Sequence, residues 1–186
     1  LKKASNIDHF RGVWTSGLSV GPDRLARLRD AALVQSVASS CRIAGHRVTE
    51  NEVSDILAGA SATTPASAEL RGYATAATRP FPYANAVVTV DEIATVNALV
   101  LGASGDRPSP TPLRQTPLHL EVFDADGRAL GRVLQTLPPR LLSDKLEDLV
   151  SWIEIELRSG DQHPLLIVGA FFLRLTAISP FEKGNG

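Results

Sequence analysis

Apolar residues recur along most of this chain at intervals of three and four, the spacing that gathers them on one face of an α-helix. Gly21-Pro22-Asp23 opens the first clear run, with proline in a first turn where its missing N–H costs nothing. Leu25, Leu28, Ala32, Ser36, Ser39 and Ile43 form its stripe, and Gly45 is its stop. The end of that stripe is small and polar, which predicts a close approach to another surface. Thr49 followed by Glu52 has the form of a capping box and launches a short helix through Val53, Ile56 and Leu57 to Gly59. Residues 61–67 are Ala/Thr/Pro-rich and read as a loop; a helix over 68–77 follows, ending before Arg79-Pro80. Thr89 with Glu92 repeats the capping pattern ahead of Ile93, Val96, Leu99 and Val100. Residues 102–112 form a loop dense in Gly, Ser and Pro.

The period then changes. Leu118 to Phe123 is extended and β-prone, Asp126-Gly127 signals a tight turn, and residues 128–136 return with Leu130, Val133 and Leu134. This predicts a β-hairpin, the one clear β element, closed by Pro138-Pro139. Ser143 is placed to cap a helix carrying Leu146, Leu149, Val150, Ile153 and Leu157, stopped by Gly160. His163-Pro164 starts a last helix, apolar on every side through Ile178. A membrane span needs about 20 apolar residues; this stretch is shorter and carries Arg174, so it reads as a central helix surrounded by neighbours. The fold class expected is all-α with one β-hairpin. Residues 1–20 read as an irregular N-terminal arm anchored by Trp14, and 21–186 as one domain with no linker long enough to divide it.

The 186 residues suit one domain with a real core, and 19 Lys+Arg against 20 Asp+Glu give a net charge of -1. Such a balance argues against nucleic-acid binding, which normally shows a basic excess. One cysteine, Cys41, excludes an intramolecular disulfide and reads as a small buried helix residue in a reducing cytoplasm. No signal peptide or membrane segment is legible. The absence of Met, and an ending at Gly184-Asn185-Gly186, suggest a piece of a longer chain interrupted within a loop.

His9, His46, His119 and His163 are scattered without metal-ligand spacing, so no metal site is expected among them. Asp91-Glu92 are charges that complement a helix N-terminus. The cluster with chemical potential is Ser179-Pro180-Phe181-Glu182-Lys183-Gly184-Asn185-Gly186, directly behind the apolar helix. Pro180 ends that helix and Phe181 can anchor the turn. Gly184-Asn185-Gly186 can adopt left-handed conformations that aim successive N–H groups at one point, an anion nest; an ordinary loop is the equal alternative.

That segment resembles the signature of the Fic-domain family, His-Pro-Phe-x-Asp/Glu-Gly-Asn-Gly-Arg after an apolar helix, and falls onto it without a gap. The hairpin at 118–136 is similar to the family's flap. Ser40-Cys41-Arg42-Ile43-Ala44-Gly45 looks like its inhibitory helix, Ser/Thr-x-x-x-Glu-Gly/Asn. The resemblance covers nearly the whole chain, in the right order, and implies transfer of AMP from ATP to a hydroxyl of a target protein docked along the flap. In it the motif His is general base, the acidic residue holds Mg²⁺, and the Gly-Asn-Gly backbone cradles phosphate.

The chain departs at each demanding position. Ser179 stands at the His position, where a hydroxyl with no activating base takes no proton at neutral pH. Lys183 stands at the metal ligand's position; it argues against Mg²⁺ but can meet phosphate as a point charge, so ATP can bind at Lys183, Gly184, Asn185 and Gly186. Glu182 could replace it only if the turn were rebuilt. Ala44, beside Ser40 and Gly45, stands where the inhibitory Glu would act through a motif Arg beyond Gly186. The expectation is therefore a Fic-like adenylyltransferase domain, catalytically impaired, nucleotide-binding and cytoplasmic, with no membrane or nucleic-acid partner. The alternative is a non-catalytic module that docks a protein on its hairpin. A third reading keeps the enzyme with a base from elsewhere, such as His119.

Overall fold

The structure, a computed structural model, describes residues 2–17, 21–61, 64–79, 88–102 and 108–185. In chain order the elements are α1 (Lys2–Gly17), α2 (Pro22–Ile43), α3 (Glu50–Leu57), α4 (Pro65–Thr78), α5 (Val90–Val100), β1 (His119–Phe123), β2 (Ala129–Gln135), a 3-10 turn (Pro139–Leu141), α6 (Leu142–Ser159) and α7 (Pro164–Ile178). This is the expected helical architecture with one hairpin. The chain divides between Ser61 and Ala62 into two compact units. The division falls at the edge of the Ala/Thr/Pro-rich stretch that reads as a loop.

In the first unit, residues expected to be irregular form α1. Nothing between Lys2 and Gly17 breaks a helix except Gly12, and Phe10 packs against Trp14 one turn later, the rings tilted by 36° with centroids 5.8 Å apart. In α2 the predicted stripe is offset from the buried one. Leu25, Leu28 and Ile43 are exposed, whereas Val37, Ala38 and Cys41 are buried. The buried set has the same helical spacing in a different register, and its Val-Ala-Cys composition is small, which hid it beside the larger leucines. Gly45, at φ 92°, ends the helix in a Schellman motif: its N–H bonds Arg42 O and the His46 N–H bonds Cys41 O, both at 3.0 Å. The Thr49–Glu52 capping box forms reciprocally, and Val53 is buried behind it.

The second unit is built on α6 and α7. Leu142, Leu146 and Leu149 from one and Ile178 from the other form its core, with Leu113, Leu137, Phe171 and Leu175 packed against it. Ser143 does not cap α6. The 3-10 turn runs straight into the helix and places Ser143 inside its first turn. α4 begins earlier than expected because Thr64 and Ser67 form a capping box with Ser in the usual Glu place, and Pro65 occupies the first turn. α5 receives only half of its predicted box. Thr89 Oγ1 accepts the Glu92 N–H at 3.0 Å, while the Glu92 carboxylate pairs with Arg79 at 2.8 Å. α4 meets α5 through bare backbone, since a Cβ on Gly72 would lie 1.9 Å from Leu99 O.

α7 departs furthest from expectation. Its Ile167 and Ile178 are buried, but Phe172 is 60% and Leu173 70% exposed. Uniform apolarity says that a helix can be surrounded, not that the elements present surround it; here α6 covers one side. Arg174 lies on that side, its guanidinium 4.0 Å from the centroid of the Trp152 ring. Among the described residues no helix is long and apolar enough to cross a membrane.

The hairpin β1–β2 is antiparallel, pairing His119 with Gln135 and Phe123 with Ala129, with two irregularities along its register. Gly131, opposite Val122 at φ 136°, lies between them. Asp124 organises the turn, its Oδ1 accepting the N–H groups of Asp126 and Arg128 at 3.0 and 2.8 Å.

Candidate functional site

α7 ends at a residue whose conformation sets the loop behind it. Ser179 has φ 46° and ψ 65°, the one left-handed non-glycine among the described residues. That geometry costs an L-residue about 1–2 kcal/mol, and it turns the chain sharply into Pro180 and Phe181, both buried. The Ser179 hydroxyl is directed back into the helix, donating to Thr176 O at 2.6 Å, and Ser179 is 6% exposed. It acts as a helix cap. Among the described residues no hydrogen bond joins it to His119, which is exposed at the start of β1, or to another side chain.

Beyond Phe181 the loop closes on itself. Asn185 Oδ1 accepts the Phe181 N–H at 2.8 Å, and Asn185 Nδ2 donates to Phe181 O at 2.7 Å. From beneath, Asn97 of α5 donates through Nδ2 to both Lys183 O and Gly184 O, at 3.0 and 2.9 Å. Across a planar trans peptide the N–H points opposite to its carbonyl. Holding these two carbonyls on Asn97 therefore turns the N–H groups of Gly184 and Asn185 to the other side, where no acceptor among the described residues receives them. Gly184 has φ 72°, and a Cβ there would lie 2.7 Å from Asn97 Nδ2, so the position requires glycine on two counts. Two open amides on one side of a tight turn are the geometry from which an anion nest can be built.

The charges around the loop are Lys183, exposed and without an ion pair among the described residues, Glu182, and Arg114. Glu182 Oε1 accepts from Thr116 Oγ1 at 2.9 Å. Burial pulls the Arg114 guanidinium below its ordinary pKa, and Glu182 partly opposes this. Of these only Lys183 is a cation open to a ligand, a point charge of the kind that can meet phosphate. The loop offers one carboxylate, partly engaged by Thr116, and an ammonium where a second oxygen ligand would be needed. Among the described residues no group of three or more His, Cys, Asp or Glu side chains could hold a metal ion.

Of the residues expected at the site, Ser179, Lys183, Gly184 and Asn185 are together in this loop, and Gly186 lies outside the described residues. Ser40, Ala44 and Gly45 belong to the first unit, where they end α2: Ser40 O accepts the Ala44 N–H at 3.0 Å and Gly45 closes the Schellman motif. Cys41 is buried there, 3% exposed. Sequence reasoning missed Asn97 and Arg114. A polar residue on the apolar stripe Ala94-Ala98-Leu101 was a signal for Asn97. Arg114 sits in a proline-flanked loop and carries no comparable mark.

No protein-family model and no curated protein matches the sequence. Solved structures do match the fold. A Fic-domain-containing signaling protein from Bacteroides thetaiotaomicron VPI-5482 aligns with a TM-score of 0.72 at 19% identity, over 97% of this chain and 67% of that one. A Fic family protein from Desulfovibrio desulfuricans G20 aligns with a TM-score of 0.69 at 18% identity, over 97% of this chain and 51% of that one. The chain thus has the fold of Fic-domain proteins and spans about two-thirds and one-half of the length of these two.

Proposed function

We propose that the 179–185 loop binds the phosphates of a nucleotide, ATP being the one the Fic fold implies, in a domain impaired in AMP transfer to protein hydroxyls. The observation that carries this reading is the pair of open amides at Gly184 and Asn185, turned outward by Asn97. Lys183 adds a point charge that meets phosphate without a metal. Transfer needs a base on the acceptor hydroxyl; with the Ser179 proton directed to Thr176 O and no His at that place, a loss of about 10²–10⁴-fold is expected. The net charge of -1 carries no basic excess of the kind that recruits nucleic acid. The single cysteine and a nucleotide ligand go with a cytoplasmic location.

The test is calorimetric titration of ATP into the protein with and without Mg²⁺. Affinity that Mg²⁺ leaves unchanged supports the reading. Absence of heat at millimolar ATP sinks it.

A second reading, a protein-docking module, is favoured by the hairpin. Val122, Phe123 and Leu130 are exposed apolar residues on a hairpin that no third strand joins among the described residues, and an extended segment can add to a sheet edge as a further strand. Capture of a target abolished by Phe123→Ser with Leu130→Ser, in a protein that binds no ATP, would favour this reading over the first.

A further inference from the structure

Arg114 is 1% exposed, the largest fully buried side chain among the described residues, and it has no carboxylate in salt-bridge contact. Its partners are backbone carbonyls from three segments. Nε donates to Ser179 O at 2.7 Å, Nη1 to Thr116 O at 2.8 Å, and Nη2 to Leu137 O at 2.5 Å and Ile178 O at 3.4 Å. Its own N–H donates to Pro180 O at 2.9 Å. Thr116 and Leu137 are the two stems of the hairpin, lying just before β1 and just after β2; Ile178, Ser179 and Pro180 are the end of α7 and the start of the loop.

Each of these carbonyls lies outside a regular ladder or in the last turn of a helix, and a buried carbonyl without a donor costs about 1–3 kcal/mol. A planar fork of five N–H donors can serve four at once, and the partial negative charge of a helix C-terminus favours a cation there. The two stems are also joined directly, Thr136 Oγ1 donating to Leu118 O at 2.6 Å. One side chain therefore holds the hairpin base and the loop entrance in a single arrangement. The Thr116–Glu182 bond adds a second tie between the same segments.

We propose that Arg114 is the positioning residue of the anion loop and couples it to the hairpin. By fixing the carbonyls of Ser179 and Pro180 it sets the height at which the Gly184 and Asn185 amides are presented. By fixing Thr116 and Leu137 it makes that height depend on where the hairpin stands. A strand docked on the hairpin and an anion on the loop then alter each other's affinity by the same factor. The inference rests on the phosphate-binding reading for its ligand but not for its geometry.

The experiment compares the full chain with Arg114→Lys, which keeps the charge and loses the fork. Amide ¹⁵N–¹H signals of Lys183, Gly184 and Asn185 are followed together with those of Leu118 and Thr136, and ATP affinity is measured well below the unfolding temperature. The expected result is a folded variant in which both groups of signals move and ATP binds ~10-fold more weakly, one hydrogen-bond set's worth. Thr49→Ala, destabilised in the first unit, keeps the wild-type affinity. Unmoved loop signals in folded Arg114→Lys, or wild-type affinity, overturn the proposal. If wild type binds no ATP, the nucleotide reading fails and the ligand-free signals still decide this one. If Arg114→Lys does not fold, the wild-type Arg114 Nε–H signal decides it: a shift with the same ATP midpoint as Gly184 supports coupling, and a fixed signal at saturation refutes it.

Discussion

Placing a methyl group on Gly184 tests how the loop is held. The substitution Gly184→Ala carries two separable penalties. The first is conformational: φ 72° is left-handed, costing alanine about 1 kcal/mol or somewhat more. The second is steric, because the new Cβ would lie 2.7 Å from Asn97 Nδ2, too close for any real contact. Asn97 is 4% exposed in α5 and has little room to retreat. Moving its amide breaks the bonds to Lys183 O and Gly184 O, each worth about 1 kcal/mol. The expected destabilisation is therefore about 3 kcal/mol in the wild type. In an Asn97→Ala background the wedge is gone, and the same substitution should cost only about 1 kcal/mol, the backbone part. Urea unfolding measures both, with Trp152 as reporter of the second unit in a Trp14→Phe background, so that the two tryptophans do not mix the two units. Equal penalties in the two backgrounds would refute the claim that Asn97 and Gly184 are in contact, and with it the argument that Asn97 turns the amides outward.

Three further outcomes follow from local geometry. Ser179→Gly and Ser179→Ala both lose the bond to Thr176 O, but glycine accepts φ 46° freely, so Ser179→Ala should be the less stable by about 1 kcal/mol in thermal unfolding. Hydrogen bonds from the Thr49 N–H and hydroxyl hold the Glu52 carboxyl below its ordinary pKa of 4.5. Its contribution is therefore present above that value and lost as pH falls through the lower folded pKa; Glu52→Gln should flatten this part of an acid titration followed by circular dichroism. Cys41, buried, should resist an alkylating reagent in buffer and react in urea, and rapid labelling of the folded protein would contradict its placement.

What the sequence disclosed depended on how far a signal had to reach. The Thr49–Glu52 box, the Gly45 and Gly160 stops and the hairpin turn are contacts over two to five residues, and their residue types announce them. The α4 start was missed for a local reason, Ser67 taking the acceptor place usually held by Glu. The α2 register and the surroundings of α7 are different in kind. They depend on which neighbours exist, and periodicity describes a face without naming what lies against it. The loop residues were legible as a group, since they are consecutive and Gly-Asn-Gly marks a turn, with an ordinary loop as the equal alternative. Their supports were not: Arg114 reaches Ser179 across 65 positions and Asn97 reaches Gly184 across 87, and no spacing rule connects residues so far apart.

The meeting of α4 and α5 has a consequence for which positions are free to vary. Gly72 presses its bare Cα side against Leu99 O, two residues from Asn97, and near the Gly102 N–H. Any side chain there would lift the C-terminal half of α5 away from α4 and carry Asn97 with it. The tolerance of the loop to substitution is thus governed partly from position 72, outside the loop and with no chemistry of its own. A library randomised at Gly72 should return glycine wherever anion binding is selected, and a survey of the loop alone would never show why.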